Sequence, residues 1–125
     1  MEVVAVLGAS SDSTRYAYKA MQMLEEYGHQ PIPVHPRETE VLGKKVYPSL
    51  GELARSGQKI DTVTVYVNSA ISEKYEKDFL ELKPRRVIFN PGAESKKLEE
   101  SLRKNGIQVE EACTLVLLRT NQYGS

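Results

Sequence analysis

Short apolar runs alternate with amphipathic stretches along this sequence. Val3 to Leu7 is a continuous apolar run that ends at Gly8, which is typical of a central strand covered on both faces. The period then changes, because apolar residues recur at helical spacing from Ala17 until Gly28 ends the pattern. A second short strand, Ile32 to Val34, follows. A strand, a helix and a strand within about 30 residues predict a βαβ unit.

The same alternation continues to the end of the chain. The aperiodic segment "HPRETEVLGKKVYPSL" is expected to be a structured loop, and the capping-box pair of Ser49 and Glu52 predicts a helix over Leu50 to Ala54. The remaining predicted elements are, in order, a strand at Thr62–Val67, a helix with Ile71, Tyr75, Phe79 and Leu82 on one face, a strand in "RVIFN", a helix around Leu98 and Leu102, a strand at Ile107–Val109 and a helix at Thr114–Arg119.

Five strands that alternate with helices predict an α/β fold with one parallel sheet and helices on both faces, in three layers. We expect the strand order 3-2-1-4-5 and a single domain over residues 1–125. In this order the ends of strands one and four flank the switch point at which such folds bind ligands. The loop Gly8–Ser13 would then lie opposite Asn90, Pro91 and Gly92.

Composition limits the classes of function. The 125 residues contain 17 Lys plus Arg, 17 Asp plus Glu and a single cysteine. The balanced charge argues against nonspecific binding to nucleic acid or to anionic lipid, and one cysteine excludes an internal disulfide. No apolar run approaches the roughly 20 residues that span a bilayer. Since the N-terminus enters a strand at once, without a leader, we expect a cytoplasmic protein that does not contact a membrane.

The stretch "VLGASSDSTRYAYKAM" predicts an anion site. A strand, a glycine turn and a helix N-terminus bring unpaired backbone amides and partial positive charge together. The dinucleotide fingerprint G-x-G-x-x-G is incomplete, because only Gly8 is present, which argues against NAD. A purely structural interpretation is also open, in which Asp12 or Ser13 simply caps the helix.

The end of the second strand narrows the choice of ligand. NAD-binding proteins place a carboxylate there, whereas this chain has His35, Pro36 and Arg37. A cation in this place favours a ligand with an additional phosphate on the adenosine ribose, such as NADP or coenzyme A. Arg15 is a further candidate for phosphate pairing, because it opposes the helix dipole unless an anion joins it. The alternative is that both arginines are solvated surface charges.

Four fragments carry a resemblance to a known family. "VLGASSDSTRYAY", "PIPVHPRETEVLGKKVYPSL", "VIFNPGAES" and "EACTLVLL", in this order, resemble the small stand-alone CoA-binding domain proteins, which are related in fold to the nucleotide domain of the succinyl-CoA synthetase alpha subunit. The resemblance implies a Rossmann-like sheet with coenzyme A over the strand ends. It implies that the diphosphate faces Gly8, Ala9, Ser10 and Arg15, and that the adenosine with its 3′-phosphate faces Val34, His35, Pro36 and Arg37.

The remaining candidate binding residues are Ser11, Val67, Asn68, Pro91 and Gly92. This chain departs from the family at two places. It has His35 where asparagine is common, and Val67 and Asn68 where many members carry arginine after the third strand. Of the seven tyrosines, which are interpreted mainly as packing residues, Tyr16 or Tyr66 is a candidate for lining the groove.

Catalytic chemistry has few candidates in the sequence. Cys113 either meets the sulfur end of coenzyme A, where a mixed disulfide could form, or is a small core residue. His29 is expected to be exposed, and Glu110 and Glu111 are expected to point to opposite faces of a strand. Neither catalytic-triad spacing nor metal-ligand spacing is found.

The sequence therefore predicts a module that binds coenzyme A or acyl-CoA, with no catalysis or weak catalysis. Two other functions stay open: an NADP-linked reductase or CoA-dependent transferase, and a protein-interaction module whose nucleotide site is vestigial.

Overall fold

The computed structural model describes residues 1–124, which form the alternating strands and helices that the sequence predicts. The elements are, in chain order, β1 (Val3–Leu7), α1 (Tyr16–Glu26), β2 (Gln30–Val34), β3 (Glu40–Val41), β4 (Lys44–Lys45), α2 (Leu50–Arg55), β5 (Thr62–Val65), α3 (Ser69–Ser72), α4 (Glu76–Leu82), β6 (Arg86–Phe89), α5 (Lys96–Lys104), β7 (Gln108–Glu111) and α6 (Thr114–Arg119). A 3₁₀ turn, Glu73–Tyr75, joins α3 to α4.

A five-stranded parallel sheet is confirmed, but its predicted strand order is wrong. The order is β2-β1-β5-β6-β7, so the third principal strand lies beside the first and not beyond the second. Pro31 and Pro33 in the sequence of β2 indicate this order. Proline cannot donate to a strand ladder and is therefore confined largely to edges, whereas β5 is buried along its whole length and suits the centre.

The strands end at one common edge of the sheet. Leu7 is aligned with Val34 of β2 and with Val65 of β5, and Phe89 is aligned with Val65 and with Glu111 of β7. The loops that follow these strands therefore start side by side, and they provide the walls of the candidate site.

Two hydrophobic clusters hold the helices against the sheet. Val4 and Val6 belong to a cluster with α1 and α6, while Ala5 and Leu7 belong to a cluster with α2, α4 and α5. Successive side chains of a strand point to opposite faces, so the two clusters lie on opposite faces of the sheet. Burial of apolar surface on both faces explains the continuous apolar run of β1.

The segment between β2 and α2 contains structure that the sequence pattern did not reveal. The short antiparallel pair of β3 and β4 turns at Leu42 and Gly43, whose φ values are 50° and 74°. Ser49 then caps α2 as predicted, because its Oγ accepts a hydrogen bond of 3.1 Å from the Glu52 amide.

The helix predicted between the third and fourth strands is broken in the structure. Asn68 caps the short helix α3 by accepting a hydrogen bond of 3.1 Å from the Ile71 amide. Phe79 of α4 is fully buried, but the side chain of Ile71 is 40% exposed and does not continue the buried face. The break releases Ile71 from the core and leaves it beside the strand ends.

Candidate functional site

A crevice with a volume of about 700 Å³ lies at the carboxyl ends of the strands. The order in which strands are added to the sheet changes side at β1. The chain goes from β1 to β2 on one side, and it then crosses back to β5 on the other side of β1. Ligands of open parallel sheets bind at such a switch point. The loop after β6 also reaches the crevice, so the expected approach of the Gly8 loop to Pro91 and Gly92 is found.

Nine of the thirteen candidate binding residues line this crevice. They are Gly8, Ser10, Arg15, His35, Arg37, Val67, Asn68, Pro91 and Gly92. Pro36 lines an adjoining cavity. Ala9 and Val34 are fully buried beneath the crevice, and Ser11 is exposed beside it. Tyr16 and Tyr66 both line the crevice, together with Ala17, Glu38, Ile71 and Ala93.

Gly8 allows the loop after β1 to approach the loop after β5. Its φ is 92°, and a Cβ at this position would lie 2.8 Å from Cγ1 of Val67. The amides of Gly8 and Ala9 donate to the carbonyl of Val34 over 3.0 and 3.3 Å. These two amides are therefore already paired, and Ser10 and the start of α1 supply the nearest backbone that faces the crevice.

The N-terminus of α1 has no side-chain cap. Its N-cap residue is Arg15, and the predicted cap by Asp12 or Ser13 is wrong. Oδ1 of Asp12 instead accepts hydrogen bonds from the amide and hydroxyl of Thr14, at 3.0 and 2.7 Å, and these bonds hold the pKa of Asp12 below its usual value. The first turn of α1 contains no acidic side chain, so no residue of the helix itself offsets the positive end of its dipole beside the crevice.

Arg15 extends from this helix end into solvent. Its side chain is 72% exposed, and its Nε lies 3.8 Å from a carboxylate oxygen of Asp12. An exposed pair of this length contributes little to stability, so the guanidinium can turn toward an anion at small cost.

Glu38 places a carboxylate in the crevice. The sequence pattern did not predict this, because only His35, Pro36 and Arg37 were candidates after β2. The carboxylate accepts hydrogen bonds from the Ser11 amide at 2.8 Å and from the Ser11 hydroxyl at 3.0 Å. These two interactions, the backbone one first, hold the pKa of Glu38 below its usual value. Because Glu38 lies four positions beyond the strand, no sequence spacing marked it.

Arg37 supplies the positive charge at the end of β2, because His35 is held neutral. Nδ1 of His35 accepts hydrogen bonds from the amides of Arg37 and Glu38, at 3.0 and 3.1 Å. Burial lowers the pKa of His35, and the charge of Arg37 lowers it further. The exposed side chain of Arg37 makes no ion pair or hydrogen bond with other residues in the range 1–124.

Two smaller cavities adjoin the crevice at its two ends. The β2 cavity, of about 240 Å³, is lined by Leu7, Gly8, His35, Pro36, Arg37, Pro48, Ser49, Val67, Ile71, Lys74 and Tyr75. The β7 cavity, of about 280 Å³, is lined by Tyr16, Tyr66, Asn90, Pro91, Cys113, Leu115 and Arg119. Lys74, which was not among the candidate residues, adds a second cation near the end of β2.

Asn90 joins the strand ends beneath the β7 cavity. Its Nδ2 donates to Thr64 Oγ1 at 2.7 Å and to the carbonyl of Val65 at 2.9 Å, and its Oδ1 accepts from the amide of Thr114 at 2.9 Å. The network ties the start of α6 to β5. Cys113, directly before α6, is half-buried and lines the cavity wall, so it is not a fully enclosed core residue.

The remaining candidate residues lie outside the crevice. His29 is half-buried and its Nδ1 accepts a hydrogen bond of 3.0 Å from the Glu2 amide, so the prediction that it is exposed is wrong. Glu110 lies 3.4 Å from Arg86 and Glu111 lies 3.1 Å from Lys96, so the two carboxylates have different partners. Within residues 1–124 no group of three or more His, Cys, Asp and Glu side chains is arranged to hold a metal.

Membrane-spanning helices are also absent from the part of the chain that is described, since none of its helices is long and apolar enough.

A family model described as a CoA binding domain matches residues 2–119. The chain therefore belongs to the CoA-binding domain family.

The chain is also similar to individual proteins. Over 51 residues the chain is 43% identical to the alpha subunit of an ADP-forming acetate-CoA ligase II from Pyrococcus furiosus, a match that covers 40% of this chain and 11% of the subunit. A solved but uncharacterized protein is 39% identical over 98% of both chains, with a TM-score of 0.85. A solved protein from Thermus thermophilus is 27% identical over 97% of this chain and 90% of its own, with a TM-score of 0.86.

Proposed function

We propose that the chain binds coenzyme A or an acyl-CoA in the crevice and catalyses no reaction of its own. The observation that carries the proposal is that the N-terminus of α1 and the guanidinium of Arg37, which have neither a side-chain cap nor an ion-pair partner among residues 1–124, border the same cavity. A ligand with two separate phosphate groups complements both. Membership in the CoA-binding domain family supports coenzyme A as this ligand.

The diphosphate is proposed to lie at the start of α1. The first helical amides have no intrahelical acceptor and carry partial positive charge, and Tyr16 and Ala17 line the crevice there. Arg15, whose only ion pair within residues 1–124 is the long one to Asp12, can form two parallel hydrogen bonds to phosphate. Ser10 adds a hydroxyl at the same wall.

The adenosine is proposed to lie against the end of β2, with its base in the β2 cavity. Apolar side chains of Val67 and Ile71 line this cavity, and the cations Arg37 and Lys74 border it. Such a lining suits the flat face of an adenine base beside a ribose phosphate. Neutral His35 can still donate a hydrogen bond through Nε2, because its Nδ1 is already an acceptor.

Glu38 limits which anions the crevice accepts. Its carboxylate repels a phosphate placed near it, but Ser11 holds that carboxylate through two hydrogen bonds. The repulsion is therefore confined to one wall, between the proposed diphosphate position and the end of β2.

Thermal unfolding with a panel of coenzyme A, NADP and NAD tests the proposal. A ligand at 100 times its dissociation constant adds roughly 2.7 kcal/mol to stability, so a clear upward shift with coenzyme A is expected. Arg37→Gln should reduce that shift, while Arg55→Gln, a change of an exposed arginine on α2, should not. A response to NADP without a response to coenzyme A would overturn the proposal.

The same panel separates the two other functions. Turnover of a nicotinamide cofactor or transfer of an acyl group would indicate an enzyme. A failure of all nucleotides to bind would favour an interaction module. A cytoplasmic location stays a prediction.

A further inference from the structure

The β7 cavity continues the crevice on the side away from Arg37. The two cavities share Tyr16, Tyr66 and Pro91, so a ligand can pass from one to the other without leaving the surface of the protein. The proposed nucleotide positions at β2 and β1 occupy only one end of this combined space. The other end has no role in the proposed function.

The sheet order gives the direction in which an elongated ligand must run. Neighbouring strands are roughly 4.8 Å apart, so the ends of β2 and β7, four steps apart, are separated by about 19 Å. With the adenosine at β2 and the diphosphate beside β1, a pantetheine arm that follows the crevice continues past β5 and β6. Its sulfur end then arrives beside Pro91 and Cys113.

The lining of the β7 cavity suits an apolar group. Leu115 is 4% exposed, and the rings of Pro91, Tyr16 and Tyr66 supply further apolar surface. No carboxylate lines the cavity, and the side-chain amide of Asn90 is already used in three hydrogen bonds. Arg119 and the hydroxyl of Tyr66, which is buried and has no hydrogen-bond partner within residues 1–124, add polar groups to the lining, and an acyl chain gains apolar contact from the rest of it.

We propose that the β7 cavity receives the acyl group of a short-chain acyl-CoA, so that the chain binds such thioesters more tightly than free coenzyme A. The inference rests on the proposed function, because it assumes that the nucleotide occupies the crevice. A volume of about 280 Å³ equals roughly nine water molecules at 30 Å³ each. That space holds an acyl chain of a few carbon atoms and is too small to enclose a long fatty acyl chain.

The test is a titration series by calorimetry with coenzyme A, acetyl-CoA, butyryl-CoA and palmitoyl-CoA. Each buried methylene should tighten binding about four-fold, the equivalent of about 0.8 kcal/mol, so butyryl-CoA should bind about 16-fold more tightly than acetyl-CoA. The much longer acyl chain of palmitoyl-CoA should not bring a proportionate further gain in affinity.

Two variants connect this preference to the cavity. Cys113→Leu narrows the cavity and should abolish the preference for butyryl-CoA, measured as the ratio of its affinity to that of free coenzyme A in the same variant. Val116→Leu, a similar enlargement at an exposed position of α6, should leave both affinities unchanged. Cys113→Val serves the same purpose if the leucine variant does not fold.

The outcomes separate this inference from the proposed function. If the wild type binds coenzyme A, acetyl-CoA and butyryl-CoA equally, or if Cys113→Leu keeps the preference, the acyl site is overturned and the nucleotide site stands. If no member of the series binds, both are overturned. A preference that the cavity variant removes establishes the acyl site.

Discussion

The carboxylate of Glu38 holds Ser11 by its amide at 2.8 Å and by its hydroxyl at 3.0 Å, across the loops that follow β2 and β1. An internal carboxylate thus occupies the loop in which an anion site was predicted. The pair joins the two loops that would contact the nucleotide, and the first turn of α1 itself contains no acidic residue.

Glu38→Gln is expected to tighten the binding of coenzyme A by a few-fold. The substitution removes a negative charge from the crevice, while the glutamine oxygen can still accept from Ser11. Titration at low and high salt measures the effect, which should shrink as salt screens the charge. Glu52→Gln, on α2 outside the crevice, is the matched control. Weaker binding of coenzyme A by the Glu38→Gln variant would contradict this expectation and would show that the carboxylate accepts hydrogen bonds from hydroxyl groups of the ligand.

Gly8→Ala is expected to destabilise the fold by about 1 to 3 kcal/mol. The alanine would have to adopt a φ near 92°, and its Cβ would lie 2.8 Å from Cγ1 of Val67. Gly57→Ala is a suitable control, since its φ is 80° but no atom lies within 4 Å of the added Cβ. Urea unfolding of the two variants separates backbone strain from the close contact. Equal losses in both variants would show that the contact with Val67 is unimportant.

His35 should make stability depend on pH in the weakly acidic range. Its pKa is lowered in the folded chain, mainly by burial, so the unfolded chain binds the proton more readily. The free energy of unfolding should therefore decrease as pH falls below the ordinary histidine pKa of about 6.5. Denaturant unfolding from pH 7.5 to pH 5 measures this slope.

His29 has a lowered pKa for the same main reason, so it contributes to the same slope. Single His35→Asn and His29→Asn variants divide the two contributions. A slope that is unchanged in the His35→Asn variant would show that His35 titrates alike in the folded and unfolded chains.

Glu99 should change the free energy of unfolding with pH in the direction opposite to that of the two histidines. Burial is the first cause of its raised pKa, followed by the neighbouring carboxyl group of Glu111. Because the folded chain holds this proton more tightly, its contribution to stability is present below the ordinary carboxyl pKa and is lost as pH rises through the raised value. Glu99→Gln is thus expected to raise the free energy of unfolding at pH 7 and to flatten its change with pH.

The exposed Glu100→Gln is the control for this variant. A destabilised Glu99→Gln at pH 7 would mean that the charge of Glu99 is needed, through Arg103 at 3.7 Å.

Local patterns were sufficient to predict the strands and most helices. The apolar run of Val3–Leu7 and the glycine that ends it defined β1, and the pair Ser49 and Glu52 defined the start of α2. The strand order was not predicted correctly, because propensity and spacing do not state which edge a strand joins. The prolines of β2 could have corrected it.

The candidate site was predicted where it depends on the ends of strands. Residues that reach the crevice from elsewhere were missed, among them Glu38 and Lys74. Glu38 depends on the path of the β2–β3 loop, and Lys74 on the break between α3 and α4. Such tertiary arrangements have no period along the chain that could reveal them.

Calorimetric titration with coenzyme A and with 3′-dephospho-coenzyme A is the most direct measurement. If the crevice binds the nucleotide with Arg37 at its ribose phosphate, the wild type will bind coenzyme A more tightly than the dephospho form. The Arg37→Gln variant will bind the two alike. Equal affinities in the wild type, or no binding of either ligand, would contradict a nucleotide site between the start of α1 and Arg37.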